Sequence, residues 1–299
     1  MYDGPIIDAH HHIWEVRNYP WVTTSPVPRI FGTDYATLGR DYLVGDLLAD
    51  FGANNVVKSV NMQGHWNGDP VDETAYLQSV ADRHGFPHGI IGDAKLAAPD
   101  VERVLDRHMK HANFRGIRDV QHYMPGDRVL QAVERPDACL APEWRRGVRA
   151  LGARGLVCEL QGFPHQYEYF AEIVAENPGM RFCLVHCGML VSDDAATYEA
   201  WRAALPVLAR FRNLWVKCAA VNTFSRGGPK PMHLVGRRYN TLLDLFGADR
   251  CFFASNFPVE KLRIGYDDLI AMVKAALFHR PAQEQRAFFH DTAAEFYRV

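Results

Sequence analysis

The chain contains no Cys-x-x-Cys pair, although it has six cysteines in 299 residues. They stand apart at Cys139, Cys158, Cys183, Cys187, Cys218 and Cys251, a spacing that excludes a zinc-ribbon or redox motif and argues against a disulfide framework. Such scattered thiols suit a reducing compartment, so a cytoplasmic protein is expected. There is no run of 18 apolar residues, and no basic segment followed by an apolar one near the N-terminus, so neither a membrane span nor a secretory leader is expected. No lysine or arginine cluster occurs beyond the pairs Arg145-Arg146 and Arg237-Arg238, and formal net charge is -2, which excludes a nucleic-acid footprint. No Gly-x-Gly-x-x-Gly follows an apolar run, which counts against a dinucleotide-binding open sheet. Linkers and low-complexity segments are also missing, so one domain over residues 1–299 is the simplest organisation.

What is present is a rhythm. Short apolar or β-branched runs recur at Pro5–Ala9, Asn55–Met62, His88–Lys95, Phe114–Asp119, Leu156–Leu160, Arg181–Val185, Leu214–Cys218 and Cys251–Ala254. Amphipathic helical patterns lie between them, at Val71–His84, Ala98–His111, Glu143–Ala153, Tyr167–Glu176, Tyr198–Phe211 and Leu234–Phe246. Eight strand–helix repeats in a chain of this length predict an α/β protein of the (β/α)8 TIM-barrel class. Two stretches break the rhythm, Val16–Tyr42 and Val120–Ala141. The first is rich in aromatic residues, and both are expected to be long loops at the C-terminal face, forming a lid or a plug.

In such a barrel the active site gathers at the C-terminal ends of the strands. Those ends carry His10 and His12, Gln63 and His65, Lys95, Arg115 and Arg118, Glu159 and Gln161, His186, Lys217, and Ser255-Asn256. Buried charge is expensive unless paired, so a ring of such residues points to a site rather than a core. On an extended chain His10 and His12 share one face and His11 the other. Two such imidazoles can ligate a metal or hydrogen-bond to a polarised carbonyl. Arg115 and Arg118 have the fork geometry for a carboxylate. Lys217 reads equally as a reactive lysine or as the partner of Glu159 or Asp8. The loop residues Arg226, Lys230 and His233 add positive charge, and with it the expectation of an anionic small-molecule substrate.

Taken in order, Ile7-Asp8-Ala9-His10-His11-His12-Ile13-Trp14, Phe114-Arg115-Gly116-Ile117-Arg118, Leu184-Val185-His186-Cys187-Gly188 and Ala254-Ser255-Asn256-Phe257-Pro258-Val259 resemble the amidohydrolase superfamily, in its amidohydrolase-2 branch. The closing Thr292-Ala293-Ala294-Glu295-Phe296-Tyr297-Arg298 is similar to that branch's C-terminal helix. The resemblance implies hydrolysis of a lactone or related ring ester, with imidazoles at His10, His12 and His186 polarising the carbonyl and arginines holding carboxylates. It implies either no metal or a zinc or manganese ion, with His10, His12, Glu159 and His186 as the candidate ligands. Glu159 stands where metal-dependent relatives place a histidine, which favours the metal-free reading. Asn256 stands where the branch has an aspartate base. An amide cannot take a proton, so Glu159, then His186, become the candidate replacement bases, and Asn256 a residue that positions water. Gln63, Arg115, Arg118 and Lys217 complete the site as substrate-binding residues, and a homo-oligomer is expected from the branch alone. Two other readings stand beside the hydrolase: a metal-dependent decarboxylase or hydratase of a small acid, and a barrel that binds a small acid without turning it over.

Overall fold

The computed structural model describes residues 2–23, 35–224 and 228–299. Eight parallel strands follow one another round a single sheet in chain order: β1 (Ile6–His11), β2 (Val56–Met62), β3 (Gly89–Gly92), β4 (Phe114–Arg118), β5 (Val157–Leu160), β6 (Phe182–Leu184), β7 (Leu214–Cys218) and β8 (Cys251–Phe253). The sheet closes just beyond β8. There the Asn256 amide donates to the His10 carbonyl at 2.7 Å and the His12 amide to the Phe257 carbonyl at 2.7 Å, with His11 and Phe257 bridged in parallel. The fold is the predicted (β/α)8 barrel.

The strands are nearly continuous apolar runs because both their faces are covered. One set of side chains, among them Ile7, Ala9, Val60, Met62, Ile91, Val157, Cys183 and Phe252, fills the barrel. The alternate set, among them Ile6, Ile90, Ile117, Cys158, Leu184, Val216 and Phe253, packs against the helices. Helix ends follow local chemistry. Asp69 caps Pro70–His84 by accepting from the Val71 amide, and Gly85 ends it with φ 76°. All six cysteines are buried free thiols. No helix among the described residues is long and apolar enough to cross a membrane.

Several boundaries differ from expectation for identifiable reasons. The predicted helix Tyr198–Phe211 divides into Ala195–Ala204 and Pro206–Ala209, because proline cannot donate within a helix. Helices at Val44–Phe51 and Tyr266–Leu277 complete the outer layer and have no counterpart in the predicted pattern. β1 extends past Ala9 to His11 and carries an extra residue: Asp8 pairs with Ser59 and His11 with Asn61, so Ala9 and His10 share one opposing position. This bulge re-aims the strand, putting Ala9 in the barrel core and His10 and His12 above it.

Candidate active site

Above the strand ends lies a cavity of about 690 Å³. Its floor includes His12, Arg118, Gln161, His186 and Asn256. Both irregular stretches wall it: Pro20 and Trp21 come from the first, with Trp14 just ahead of it, and Val120, His122, Arg128, Val129, Gln131 and Ala132 from the second. Residues 24–34 of the first stretch, and Arg226, lie outside the described residues. Lys230 is committed to Asp193.

Backbone strain collects here. Among the described residues seven non-glycines have positive φ, and five of them (His65, His186, Met189, Ala220 and Asn256) line the cavity. Each such residue costs of order 1–3 kcal/mol and persists only where the surroundings hold it. The strain brings the side chains after β2, β6, β7 and β8 to one place.

His10, His12 and His186 form a contiguous group. The His10 ring lies 4.7 Å from that of His186 and 5.3 Å from that of His12, centroid to centroid. Burial holds all three well below the ordinary histidine range, and the nearby cations Arg118 and Lys217 add to the effect. They are therefore neutral, and a neutral imidazole has one donor and one acceptor nitrogen. His12 Nδ1 sits 2.9 Å from the Met62 carbonyl, which can only accept. The proton is thus on Nδ1, and Nε2 carries a lone pair. This alters the expectation for His12: it presents an acceptor rather than a carbonyl-polarising donor. Among the described residues neither nitrogen of His10, nor Nδ1 of His186, has a partner.

The amide of Asn256 is likewise fixed. Thr223 donates its hydroxyl to Glu260 Oε2 at 2.7 Å, so its oxygen can only accept from Asn256 Nδ2, 3.2 Å away. That leaves Oδ1 as the Asn256 atom available to the cavity. The backbone bonds between β1 and the β8 end hold His12 and Asn256 on adjacent strands.

Arg118 is 5% exposed and has no carboxylate partner among the described residues. One nitrogen, Nη2, donates to the Gln63 carbonyl at 2.7 Å, and Nε is buried with no acceptor. The described cavity lining contains no aspartate or glutamate, whereas Lys95, Arg118 and Arg128 all reach it. Its other wall is apolar, with Trp14, Trp21, Trp66 and Phe224.

Five predicted site residues lie outside the cavity lining, and His10, fully buried against His186, is one of them. Arg115 sits at the opposite, N-terminal end of β4, because Ile90 pairs with Phe114 and Ile91 with Gly116, leaving Arg115 as an unpaired bulge residue. Its guanidinium donates to the carbonyls of Ala112 and Phe114. Glu159 and Lys217 are fully buried in the barrel and do not line the cavity. Lys217 Nζ lies 2.8 and 2.9 Å from the two Glu159 oxygens, and Tyr297 donates to Oε1 at 2.5 Å. A carboxylate so engaged is a structural anchor for the C-terminal helix Thr292–Tyr297, not a base facing substrate. Gln63 is buried beneath the wall, where Oε1 accepts from the His65 amide at 2.7 Å.

Thr223 and Glu260 join the site without having been expected from the sequence. A signal for Glu260 exists, since it follows Asn256 by four residues, the spacing at which its amide reaches the Asn256 carbonyl (3.0 Å).

A metal ion would need these imidazoles to converge. Among the described residues no three His, Cys, Asp or Glu side chains are grouped to hold an ion, and the candidate carboxylate ligand Glu159 is paired with Lys217. Were an ion bound, His10, His12 and His186 are the side chains that would have to turn toward it.

Comparison with known proteins agrees with the architecture. The amidohydrolase family model (Amidohydro_2) matches residues 7–299. A protein of Sinorhizobium fredii, named uncharacterized protein y4mH, is 39% identical over 302 residues, covering 100% of both chains. An L-fucono-1,5-lactonase of Burkholderia multivorans is 29% identical over 308 residues, covering 98% of this chain and 96% of its own. A crystal structure of a B. multivorans amidohydrolase with bound zinc superposes with a TM-score of 0.82 at 25% identity, covering 99% of this chain and all of that one. The chain belongs to the amidohydrolase family.

Proposed function

We propose that this protein is a hydrolase that opens a small lactone bearing a carboxylate. The observation that carries the reading is a pair of fixed acceptors, His12 Nε2 and Asn256 Oδ1, on adjacent strands of one cavity floor. A water molecule that donates its two hydrogens to two acceptors turns a lone pair toward a third group. His186, which lines the cavity with an uncommitted ring nitrogen, supplies a donor for the carbonyl oxygen of that group, and His10 packs behind it. Water oxygen attacks the carbonyl carbon as His12 Nε2 takes its proton. The ring C–O bond then breaks, and the same proton passes to the departing oxygen, giving a hydroxy acid with no other reactant required. Arg118 pairs with the substrate carboxylate, removing one of the influences that keep His12 unprotonated. The relatives named as lactonases support the bond type, and the cationic, carboxylate-free lining supports the charge.

The test is a panel of L-fucono-1,5-lactone, other neutral sugar lactones and carboxylated lactones, assayed by proton release. Turnover of a carboxylated lactone with kcat/KM at least about tenfold above its neutral counterpart is expected. No turnover of any lactone would leave the binding-barrel reading in its place. Stoichiometric zinc or manganese in the purified protein, with activity that follows metal content, would replace the reading with a metal-assisted one.

A further inference from the structure

Behind Asn256 stands a carboxylate that the chemistry above does not use. Glu260 is fully buried, accepting from the Asn222 amide at 2.6 Å and from the Thr223 hydroxyl at 2.7 Å. Thr223 accepts from Asn256 Nδ2 at 3.2 Å. The chain of hydrogen bonds has a direction. Glu260 accepts from both the Asn222 amide and the Thr223 hydroxyl, so the Thr223 oxygen is left to accept, and the Asn256 amide turns its nitrogen to it. Burial pushes the Glu260 carboxyl up, while Thr223, Asn222 and the nearby Arg238 guanidinium pull it back toward the ionised form.

We infer that Glu260 and Thr223 are positioning residues that set which end of the Asn256 amide faces the cavity. The bearing on turnover rests on the hydrolytic reading above, whereas the direction of the chain does not. A single hydroxyl proton can serve a carboxylate at one end only. With Glu260→Gln, the new amide donates to Thr223, the hydroxyl donates forward, and Asn256 must accept through Oδ1, showing the cavity its NH2. With Asn256→Asp alone, two carboxylates flank one hydroxyl. With both changes, the amide introduced at position 260 donates to Thr223, Thr223 donates to the carboxylate introduced at position 256, and every group is satisfied again.

Two measurements decide the matter. In ligand-free melting, N256D and E260Q are each expected to lower Tm by several degrees, and the double variant to recover at least half of the summed loss. A double variant that melts at the sum of the losses, or lower, overturns the inference. In turnover of whichever lactone the wild type hydrolyses, E260Q and Thr223→Val are expected to lower kcat at least tenfold with KM little changed. Thr223→Ser, which keeps the hydroxyl, is expected to retain at least tenfold more activity than Thr223→Val. Equal activity of the two Thr223 variants would also overturn it. If no lactone is turned over, the melting series still decides the chain's direction, and only the hydrolytic reading fails.

Discussion

At the scale of single residues, the chemistry turns on which atom carries a hydrogen. His12 and His186 are both buried neutral imidazoles in the cavity floor, yet they are not equivalent. The Met62 carbonyl fixes the proton of His12 on Nδ1, whereas His186 Nδ1 has no partner among the described residues. Substituting His12→Gln removes the proton acceptor while keeping a polar side chain of similar reach. It is expected to lower kcat at least about 100-fold, the usual contribution of a general base. Retention of wild-type kcat would assign the base elsewhere. Arg118 governs a different constant. Because its Nε is buried and unpaired, Arg118→Met exchanges an uncompensated cation for an apolar chain. The expected result is a KM for carboxylated lactones raised about 100-fold, with neutral lactones nearly unaffected and Tm equal to or above that of wild type. Parallel changes for both substrate classes would count against a carboxylate role.

At the scale of elements, strands and loops share the work differently than period counting suggests. The eight strands are legible because each is a short apolar run bounded by turn residues, and the positions of His10, His12, His186 and Asn256 follow from them. Arg115 falls at the far, N-terminal end of β4, and like β1 it sits at a bulge, where one extra residue shifts the alternation on which facing arguments depend. Glu159 and Lys217 lie on the expected strands, but their mutual attraction is decided between neighbours 58 residues apart, which no local pattern records. The Glu260–Thr223–Asn256 chain is hard to read from pattern because Thr223 lies in a turn and Glu260 opens a one-turn 3-10 helix, Glu260–Leu262, both too short to show a period. Hydrogen bonds and ring contacts pin the turns that wall the cavity. Tyr19 donates to Glu73 Oε1 at 2.7 Å, Glu73 also accepts from the Gly64 amide at 2.7 Å, and Trp21 donates to the Gly64 carbonyl at 2.6 Å. Tyr19→Phe deletes the first of these and is expected to cost about 1–3 kcal/mol in chemical denaturation. KM should rise more than kcat falls, since the Pro20-Trp21 wall loosens while the floor stays intact. An unchanged KM would mean that this wall does not touch substrate.

At the scale of the whole molecule, the barrel buries an unusual set of titratable groups, and their signs determine how stability responds to pH. His10, His12 and His186 are held well below 6.5, His11 near about 3, and His108 and His122 near about 4, with burial the largest cause in each case. A histidine whose folded value is depressed takes up its proton first in the unfolded chain. Its contribution is complete above 6.5 and is lost as pH falls below that value, by up to about 1.4 kcal/mol per pH unit for each proton of difference. Asp8, raised to about 6, and Glu73, raised to about 7, act oppositely, again through burial first. Each stays protonated in the fold where the unfolded chain has ionised, so each removes stability as pH rises from about 4.5 to its folded value. With His88 also lowered and Asp119 and Glu260 also raised, seven histidines outweigh four carboxyls. Tm is therefore expected to rise steeply from about pH 5 to 7 and to level off from about 7.5 to 8.5. Glu73→Gln sharpens the argument, because it deletes one opposing proton and should steepen the rise between about pH 5 and 7. A melting series in matched-ionic-strength buffers checks both. A flat profile would show that these imidazoles are charged in the fold, and a variant whose rise is shallower than that of the wild type would show that Glu73 is ionised there. A charged His12 has no lone pair with which to receive a proton from water.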